Sequence, residues 1–152
     1  MAAVDVVTEI RINRPVDEVS RFAADPNKAT KWYTNIKSVV WKTAPPLNVG
    51  TQIEFIAEFL GKRIIYTYEV EEYIISQKLV MRTSSGPFPM ETTYDWDRIS
   101  ATETHMKLRN RGNPSGFSNL IAPFMAMAMR KENARDLKRL KIILEANSRS
   151  TS

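Results

Sequence analysis

The sequence predicts an α+β domain in which about seven antiparallel strands form one sheet and a long C-terminal helix covers it. The first observation is that residues 36–110 alternate between apolar and polar side chains, in runs separated by short turn-forming breaks. Such runs are typical of neighbouring antiparallel strands. The second is that the last third of the chain repeats apolar residues at intervals of three and four, which indicates a helix. With the elements before residue 36, the predicted order is β-α-α-β6-α.

The first strand and two short helices are predicted in the N-terminal region. Residues 4–13 alternate with a period of two, which predicts a strand. Pro15 suits a first helical position, and the apolar stripe that follows it predicts a helix ending at residues 25–26, Asp-Pro. A second helical turn is predicted at residues 27–33.

Six further strands complete the predicted sheet. They are predicted at residues 36–43, 51–60, 62–74, 78–84, 89–98 and 101–110. Several of them carry bulky apolar residues on one face and Glu, Gln or Arg on the other. Antiparallel sheets tolerate one solvated face, so we expect a core on one side only.

The last predicted element is a helix with its apolar stripe toward the sheet. The stripe consists of Leu120, Phe124, Met127, Ala134, Leu137, Leu140 and Leu144. Pro123 predicts a kink or break, because proline lacks a backbone donor. No linker divides the chain, so we expect one domain at residues 1–147 and a disordered tail at 148–152.

Composition excludes several classes of protein. The chain has 152 residues and no cysteine, which excludes disulfides and thiolate chemistry. Its start lacks the basic and apolar regions of a signal peptide, and no apolar run reaches the ~20 residues of a membrane span. The net charge of +5 is modest, and the basic residues are scattered except near the C-terminus. We therefore expect a cytoplasmic protein without a transmembrane segment, and we expect no nucleic-acid partner.

No catalytic constellation is recognisable in the sequence. His105 is the only histidine, so neither a metal site nor any other cofactor is predicted. A Ser-His-Asp triad would need His105, which alternation places on the outer face of its strand. No glycine-rich phosphate loop occurs among the five glycines, and most carboxylates lie on predicted outward faces.

The inward faces combine apolar side chains with a few hydroxyls, which is the composition of a small-ligand pocket. The predicted ligand-binding residues are Phe55, Tyr66, Tyr68, Met81, Thr83, Tyr94, Trp96, Met106, Leu120, Phe124 and Met127. The alternative is that these side chains fill a packed core in which the tyrosine hydroxyls satisfy one another. The methionines near the start of the last helix form either an adaptable lid or plain core filling.

Four segments, in this order along the chain, resemble one protein family. They are residues 14–19 (RPVDEV), the Asp-Pro helix end at 25–26 followed by Trp32, the turn at 86–89 (GPFP), and residues 136–141 (DLKRLK). Together they resemble the START-like superfamily, also called Bet v 1-like or SRPBCC, and its polyketide cyclase/dehydrase-like branch. The resemblance implies a helix-grip fold, in which a curved sheet wraps around the C-terminal helix and leaves a cavity for hydrophobic molecules.

Three functions remain open at this point. The first is binding of a small hydrophobic ligand, such as a lipid or polyketide, in the cavity. The second is an enzyme of the aromatase/cyclase or dehydratase type, in which a tyrosine of the pocket or an inward Arg82 orients a carbonyl. The third is a protein- or membrane-interaction domain that uses the basic residues of the last helix, Arg130, Lys131, Arg135, Lys138, Arg139 and Lys141. The sequence also leaves a weak homodimer open.

Overall fold

The strands and helices follow the predicted order. The computed structural model describes residues 4–59, 61–113 and 122–150. The strands are β1 (Val4–Ile12), β2 (Ile36–Trp41), β3 (Gln52–Phe59), β4 (Lys62–Ile74), β5 (Lys78–Ser85), β6 (Met90–Ser100) and β7 (Glu103–Gly112). The helices are α1 (Val16–Ala24), α2 (Ala29–Trp32) and α3 (Ala122–Ser150), with a 3-10 turn at Pro26–Lys28. The predicted fold is confirmed, with small differences at the ends of elements.

All seven strands form one antiparallel sheet in the order β1-β7-β6-β5-β4-β3-β2. Strands β2 to β7 follow one another as hairpins, and β1 lies beside β7 with Val4 opposite Gly112. Helices α1 and α2 carry the chain from the β1 edge to the β2 edge. The sheet curls around α3 as a half-barrel, so its concave face and the helix enclose the interior.

Irregular pairing in β4 interrupts the predicted alternation. The register between β4 and β5 shifts at Thr67/Tyr68 and again between Val70 and Glu72. Bulges of this kind bend a strand and increase its twist. The thirteen-residue strand can therefore follow the curl of the sheet. As a result, Glu72 and Tyr73 are both half-buried, although they are neighbours in a strand.

The main core lies between the sheet and the C-terminal half of α3. Leu137, Leu140 and Leu144 are at most 1% exposed. They belong to a cluster with Trp32 and with residues of β1, β3 and β5 to β7, including Ile12, Ile53, Leu79, Met106 and Leu108. A smaller cluster joins Val4, Val6, Phe88 and Met125 near the start of α3. The predicted inward faces of the strands and of the last helix from Leu137 onward are thus confirmed, whereas Ala134, which was predicted in the same stripe, is exposed.

Pro123, which was expected to kink or break the last helix, lies in the first turn of α3. Pro123 is its second residue, within the first turn, where a backbone N–H has no acceptor inside the helix. The helix continues to Ser150. Residues 148–150, which were predicted to belong to a disordered tail, are therefore helical. The last two residues lie outside the described part of the chain, and the domain boundary at residue 147 stays a prediction. None of the described helices is both long and apolar enough to cross a membrane.

Candidate functional site

A cavity of about 100 Å³ lies between the concave face of the sheet and the N-terminal half of α3. Every described strand and helix except β1 contributes to its wall. The apolar part of the wall consists mainly of Ala23, Ala24, Ala29, Ile36, Ala57, Phe59, Ile64, Met81, Phe88, Met90 and Met129. Small alanines on α1, α2 and β3 leave the space that larger side chains would fill.

One side of the cavity is aromatic. Phe55 on β3 lies directly opposite Tyr66 on β4, and their ring centroids are 5.5 Å apart. Tyr68 completes the group, with its ring centroid 5.0 Å from that of Tyr66 and 5.8 Å from that of Phe55. These separations are typical of favourable aromatic pairs. Gly86 in the β5–β6 turn allows the chain to cross this group closely, because a Cβ there would come 2.9 Å from Tyr66 Cβ.

Two hydroxyl networks line the cavity. Tyr68 Oη lies 2.7 Å from Thr92 Oγ1, which donates a hydrogen bond to Asn110 Oδ1 at 2.7 Å. Since the threonine has one proton and gives it to Asn110, Tyr68 is the donor to Thr92. The second network is a hydrogen bond between the hydroxyls of Tyr33 and Tyr94.

The tyrosine hydroxyls in the wall are neutral. Burial raises the pKa of Tyr68 to about 12, because a phenolate would lose its hydration. Burial likewise raises the pKa of Tyr33, Tyr66 and Tyr94. These groups therefore act as hydrogen-bonding partners at neutral pH and supply no negative charge.

The opposite side of the cavity is polar and is built by α3. Glu132 and Asn133 both line it, and Glu132 Oε2 accepts a hydrogen bond of 3.3 Å from Asn35 Nδ2. Burial raises the pKa of Glu132, and nearby Asp136 raises it further. Asn133 is 6% exposed, and its Nδ2 has no hydrogen-bond partner among the described residues.

Asp136 lies one turn beyond Glu132 and fixes the loop before β2. Its Oδ1 accepts hydrogen bonds of 3.0 Å from both the backbone N and the Oγ1 of Thr34. Burial raises the pKa of Asp136, and the two bonds from Thr34 oppose that shift. This contact holds the segment that carries Tyr33 and Asn35 against α3.

The charged groups in the described part of the wall are Asp25 and Glu132, both acidic. The inward Arg82 of the enzyme alternative is wrong, and the alternation of the strand, which places Arg82 on the outer face, is confirmed. Arg82 is exposed on the outer face, 3.3 Å from Glu71 and 2.6 Å from Glu91, because alternation along β5 turns it away from Met81. His105 is also on the outer face, as predicted, with its Nε2 3.1 Å from Glu9 Oε1.

The structure brings together five of the predicted ligand-binding residues, namely Phe55, Tyr66, Tyr68, Met81 and Tyr94. Three others lie off the wall. Thr83 Oγ1 accepts a hydrogen bond from the Met90 backbone N, while Trp96 and Met106 are buried in the main core. Leu120 lies outside the described residues.

The two remaining predicted residues, on α3, face away from the cavity. Phe124 is 68% exposed and Met127 is 64% exposed, whereas Met125 is buried and Met129 lines the cavity. Every residue in this stretch is apolar, so spacing alone did not determine which side faces inward. The ligand-binding role of the predicted set stays a prediction.

The predicted ligand-binding set left out several residues of the wall, in particular Tyr33, Asn35, Asn110, Glu132 and Asn133. A signal was present in the last helix. Asn133 and Asp136 occupy positions of the stripe that continues through Leu137, Leu140 and Leu144. Polar residues within an apolar stripe indicate a buried polar site.

The basic residues of α3 divide into two groups. Arg139 Nε donates to the Lys31 carbonyl and Lys141 Nζ donates to the Arg11 carbonyl, each at 2.7 Å. The others, Arg130, Lys131, Arg135 and Lys138, are exposed. The first two cations hold the helix to the rest of the fold, and the exposed ones leave the interaction-domain alternative untested.

Comparison with known proteins places these features in a family. Residues 3–145 match the family described as polyketide cyclase / dehydrase and lipid transport. The fold is similar to that of TTHA0849 from Thermus thermophilus, with a TM-score of 0.81, 20% identity, and coverage of 95% of this chain and 99% of that one. It is also similar to the Zhui aromatase/cyclase from Streptomyces sp. R1128, with a TM-score of 0.81, 13% identity and 97% coverage of both chains.

A third similar structure is a START superfamily protein from Mycobacterium smegmatis. Its TM-score is 0.70 at 13% identity, with coverage of 97% of this chain and 99% of that one. At these identities, the solved structures bear on the fold alone. No protein with a curated description matches the chain.

Proposed function

The chain belongs to the polyketide cyclase / dehydrase and lipid transport family, and on that premise we propose that it binds a small hydrophobic ligand in the cavity. The family match and the START-like fold confirm the resemblance drawn from the sequence motifs. The observation that carries the proposal is the cavity itself. Its aromatic wall of Phe55, Tyr66 and Tyr68 faces a small polar patch on α3, which consists of Glu132 and Asn133.

The composition of the wall suits an apolar ligand. Removing apolar surface from water contributes about 25 cal/mol for each Å², and rigid rings present a large surface at little entropic cost. The hydroxyls of Tyr33, Tyr68 and Tyr94 are already hydrogen-bonded within the protein. The aromatic side of the cavity therefore offers shape and apolar contact rather than many polar bonds.

Cavity size sets an expectation for the ligand. The volume of about 100 Å³ is below the ~300–1,000 Å³ of pockets that hold drug-sized molecules. A molecule of about one ring is therefore the simplest occupant. A larger one requires side chains to move, and Met129 is suited to this because methionine is unbranched and repacks readily.

The proposal is tested by finding the ligand and by filling the cavity. Native mass spectrometry of protein from its own cells, followed by extraction, would identify a retained molecule. Binding of a neutral fluorescent probe, 1-naphthol, should be saturable and should be lost in Ala57→Phe, since Ala57 lines the cavity and is 4% exposed.

The matched control is Ala44→Phe in an exposed turn, which should leave probe binding unchanged. Both variants need a cooperative unfolding transition before their binding is compared. Absence of any retained molecule, together with probe binding that Ala57→Phe does not reduce, would overturn the proposal.

A second candidate is an enzyme of the cyclase or dehydratase type, and the position of Glu132 favours it. Its carboxyl lines the cavity, and burial raises its pKa toward the range useful for proton transfer. Glu132→Gln should then abolish conversion of a bound poly-β-carbonyl substrate while binding of 1-methylnaphthalene, which has no hydroxyl to donate to Glu132, persists. Equal conversion by both proteins would contradict this role for Glu132.

A further inference from the structure

The polar patch on α3 contains a hydrogen-bond donor without a partner. Asn133 lines the cavity, the residue is only 6% exposed, and no acceptor among the described residues reaches its Nδ2. Buried polar groups are nearly always paired, and leaving one unpaired costs free energy. An acceptor inside the cavity would remove that cost.

An acceptor of hydrogen bonds lies beside this donor. Glu132, the preceding residue, also lines the cavity and accepts one bond from Asn35 through Oε2. A carboxylate has about four lone-pair positions, so Glu132 has capacity for a further donor. The patch therefore offers one donor and one acceptor to whatever occupies the cavity.

The charge around the patch disfavours an anion. Asp25 and Glu132 are the charged groups of the described wall, and Asp136 lies one helical turn from Glu132. A ligand carboxylate placed here would meet carboxyl groups and no cation among the described wall residues. Like charges at short range in a dehydrated site repel strongly.

We propose that the cavity selects an uncharged hydrophobic ligand that carries a hydroxyl group, which accepts a hydrogen bond from Asn133 Nδ2 and donates one to Glu132. The corresponding carboxylate is rejected. This inference rests on the proposed function, because it assigns the polar end of a ligand held in the same cavity.

Three probes of similar shape separate the contributions, namely 1-naphthol, 1-methylnaphthalene and 1-naphthoate. The quantity to measure is the ratio of the dissociation constant of the methyl compound to that of the alcohol. Comparing this ratio between wild type and Asn133→Leu cancels the different hydration of the two probes. We expect the ratio to fall about tenfold in Asn133→Leu, because the variant loses one hydrogen bond and leaves the ligand hydroxyl buried without that donor.

Two further variants sharpen the comparison. Asn13→Leu changes an exposed asparagine between β1 and α1 and should leave the ratio unchanged. Wild type should bind 1-naphthoate weakest of the three probes, and Glu132→Gln should strengthen naphthoate binding by removing a negative charge. In the wild type, the side-chain amide signal of Asn133 should shift in the ¹⁵N spectrum with 1-naphthol and not with 1-methylnaphthalene. That measurement does not depend on a variant that folds.

The outcomes distinguish this inference from the proposed function. If the neutral probes bind and Ala57→Phe blocks them, but the ratio is the same in wild type and Asn133→Leu, the cavity binds ligands and the hydroxyl assignment is wrong. Tightest binding by 1-naphthoate would also overturn the assignment. If none of the three probes binds, the hydroxyl assignment is wrong, and if no retained molecule is found either, the binding function fails as well.

Discussion

The two halves of α3 cover the same sheet in different ways. In the C-terminal half, Leu137, Leu140 and Leu144 are sealed against the sheet, none more than 1% exposed. In the N-terminal half, Met129, Glu132 and Asn133 face an open space. The inward side of α3 thus packs into a closed core in its C-terminal half and lines a cavity in its N-terminal half.

The difference follows from what faces each half. The leucines belong to the main cluster, where their neighbours include aliphatic and methionine side chains such as Ile12, Met106 and Leu108 together with the buried rings of Trp32 and Trp96. The cavity half faces rigid rings and hydroxyls, which take their hydrogen bonds from one another. On α3, this half presents the carboxyl of Glu132 and the amide of Asn133 to the cavity, where the other half presents leucines. The cavity therefore lies where the inward stripe of α3 becomes polar.

The largest expected effect is in the sealed half. Leu140→Ala should lower the free energy of unfolding by about 2–5 kcal/mol, because the deleted methyl groups leave a void in a close-packed site. Urea denaturation followed by circular dichroism measures this. The control is Ile142→Ala, at a position 59% exposed on the same helix, which should change stability by less than about 0.5 kcal/mol. Equal losses in the two variants would contradict the contrast between the inward and outward sides of α3.

A smaller effect is expected at the cavity wall. Tyr94→Phe removes the hydrogen bond to the Tyr33 hydroxyl and should cost about 1 kcal/mol, less than the leucine deletion because the ring stays in place. Tyr73→Phe, at a half-buried ring on β4, is the matched control with little expected change. If Tyr94→Phe cost as much as Leu140→Ala, the hydroxyl pair in the cavity wall would contribute as much to stability as a leucine of the core, which would contradict the contrast between the two halves.

The smallest expected effect is a dependence of the free energy of unfolding on pH, caused by Asp136 near the boundary between the two halves of α3. The pKa of Asp136 is raised in the folded protein, so the native state binds this proton more tightly than the unfolded chain. Stability from this group is therefore greatest at low pH and decreases as pH rises through the interval between the unfolded and folded pKa values. Glu132 contributes in the same direction.

Asp136→Asn should flatten this dependence, because the amide keeps an oxygen for Thr34 and does not titrate. Unfolding measured between mildly acidic and neutral pH gives the comparison. Asp5→Asn is a control of opposite sign, since the hydrogen bond from Arg109 lowers the pKa of Asp5 and makes its contribution increase with pH. A variant at Asp136 that preserved the wild-type pH dependence would contradict the effect of burial on that group.

The sequence was sufficient to predict the sheet and one wall of the cavity. Alternation is visible wherever a strand has one wet face, and it placed Tyr66, Tyr68 and Tyr94 inward. Alternation shows which face of the sheet a residue is on, but not whether that position lies in the packed core or at the cavity. The sequence therefore could not distinguish core from cavity wall for Trp96 and Met106. At the start of α3, the spacing of apolar residues does not identify the inward side, for a different reason. Phe124, Met125 and Met127 are all apolar, and only tertiary packing decides which of them is inward.

The wall residues that were missed depend on contacts far apart in the sequence. Tyr33 and Asn35 follow the end of α2, where neither helical nor strand periodicity applies. They lie against the cavity because Thr34 is bonded to Asp136, a residue about a hundred positions away. No local pattern contains that information.

The pairing of β1 with β7 has a consequence for how the protein folds. The first strand lies at an edge of the sheet and pairs with the last strand, with Thr8 opposite Leu108, and α3 follows later still. Contacts this distant in sequence slow folding to roughly milliseconds or longer. During synthesis, the apolar face of β1 stays without its partner strand until β7 has left the ribosome. We therefore expect β1 to need protection from aggregation during that interval.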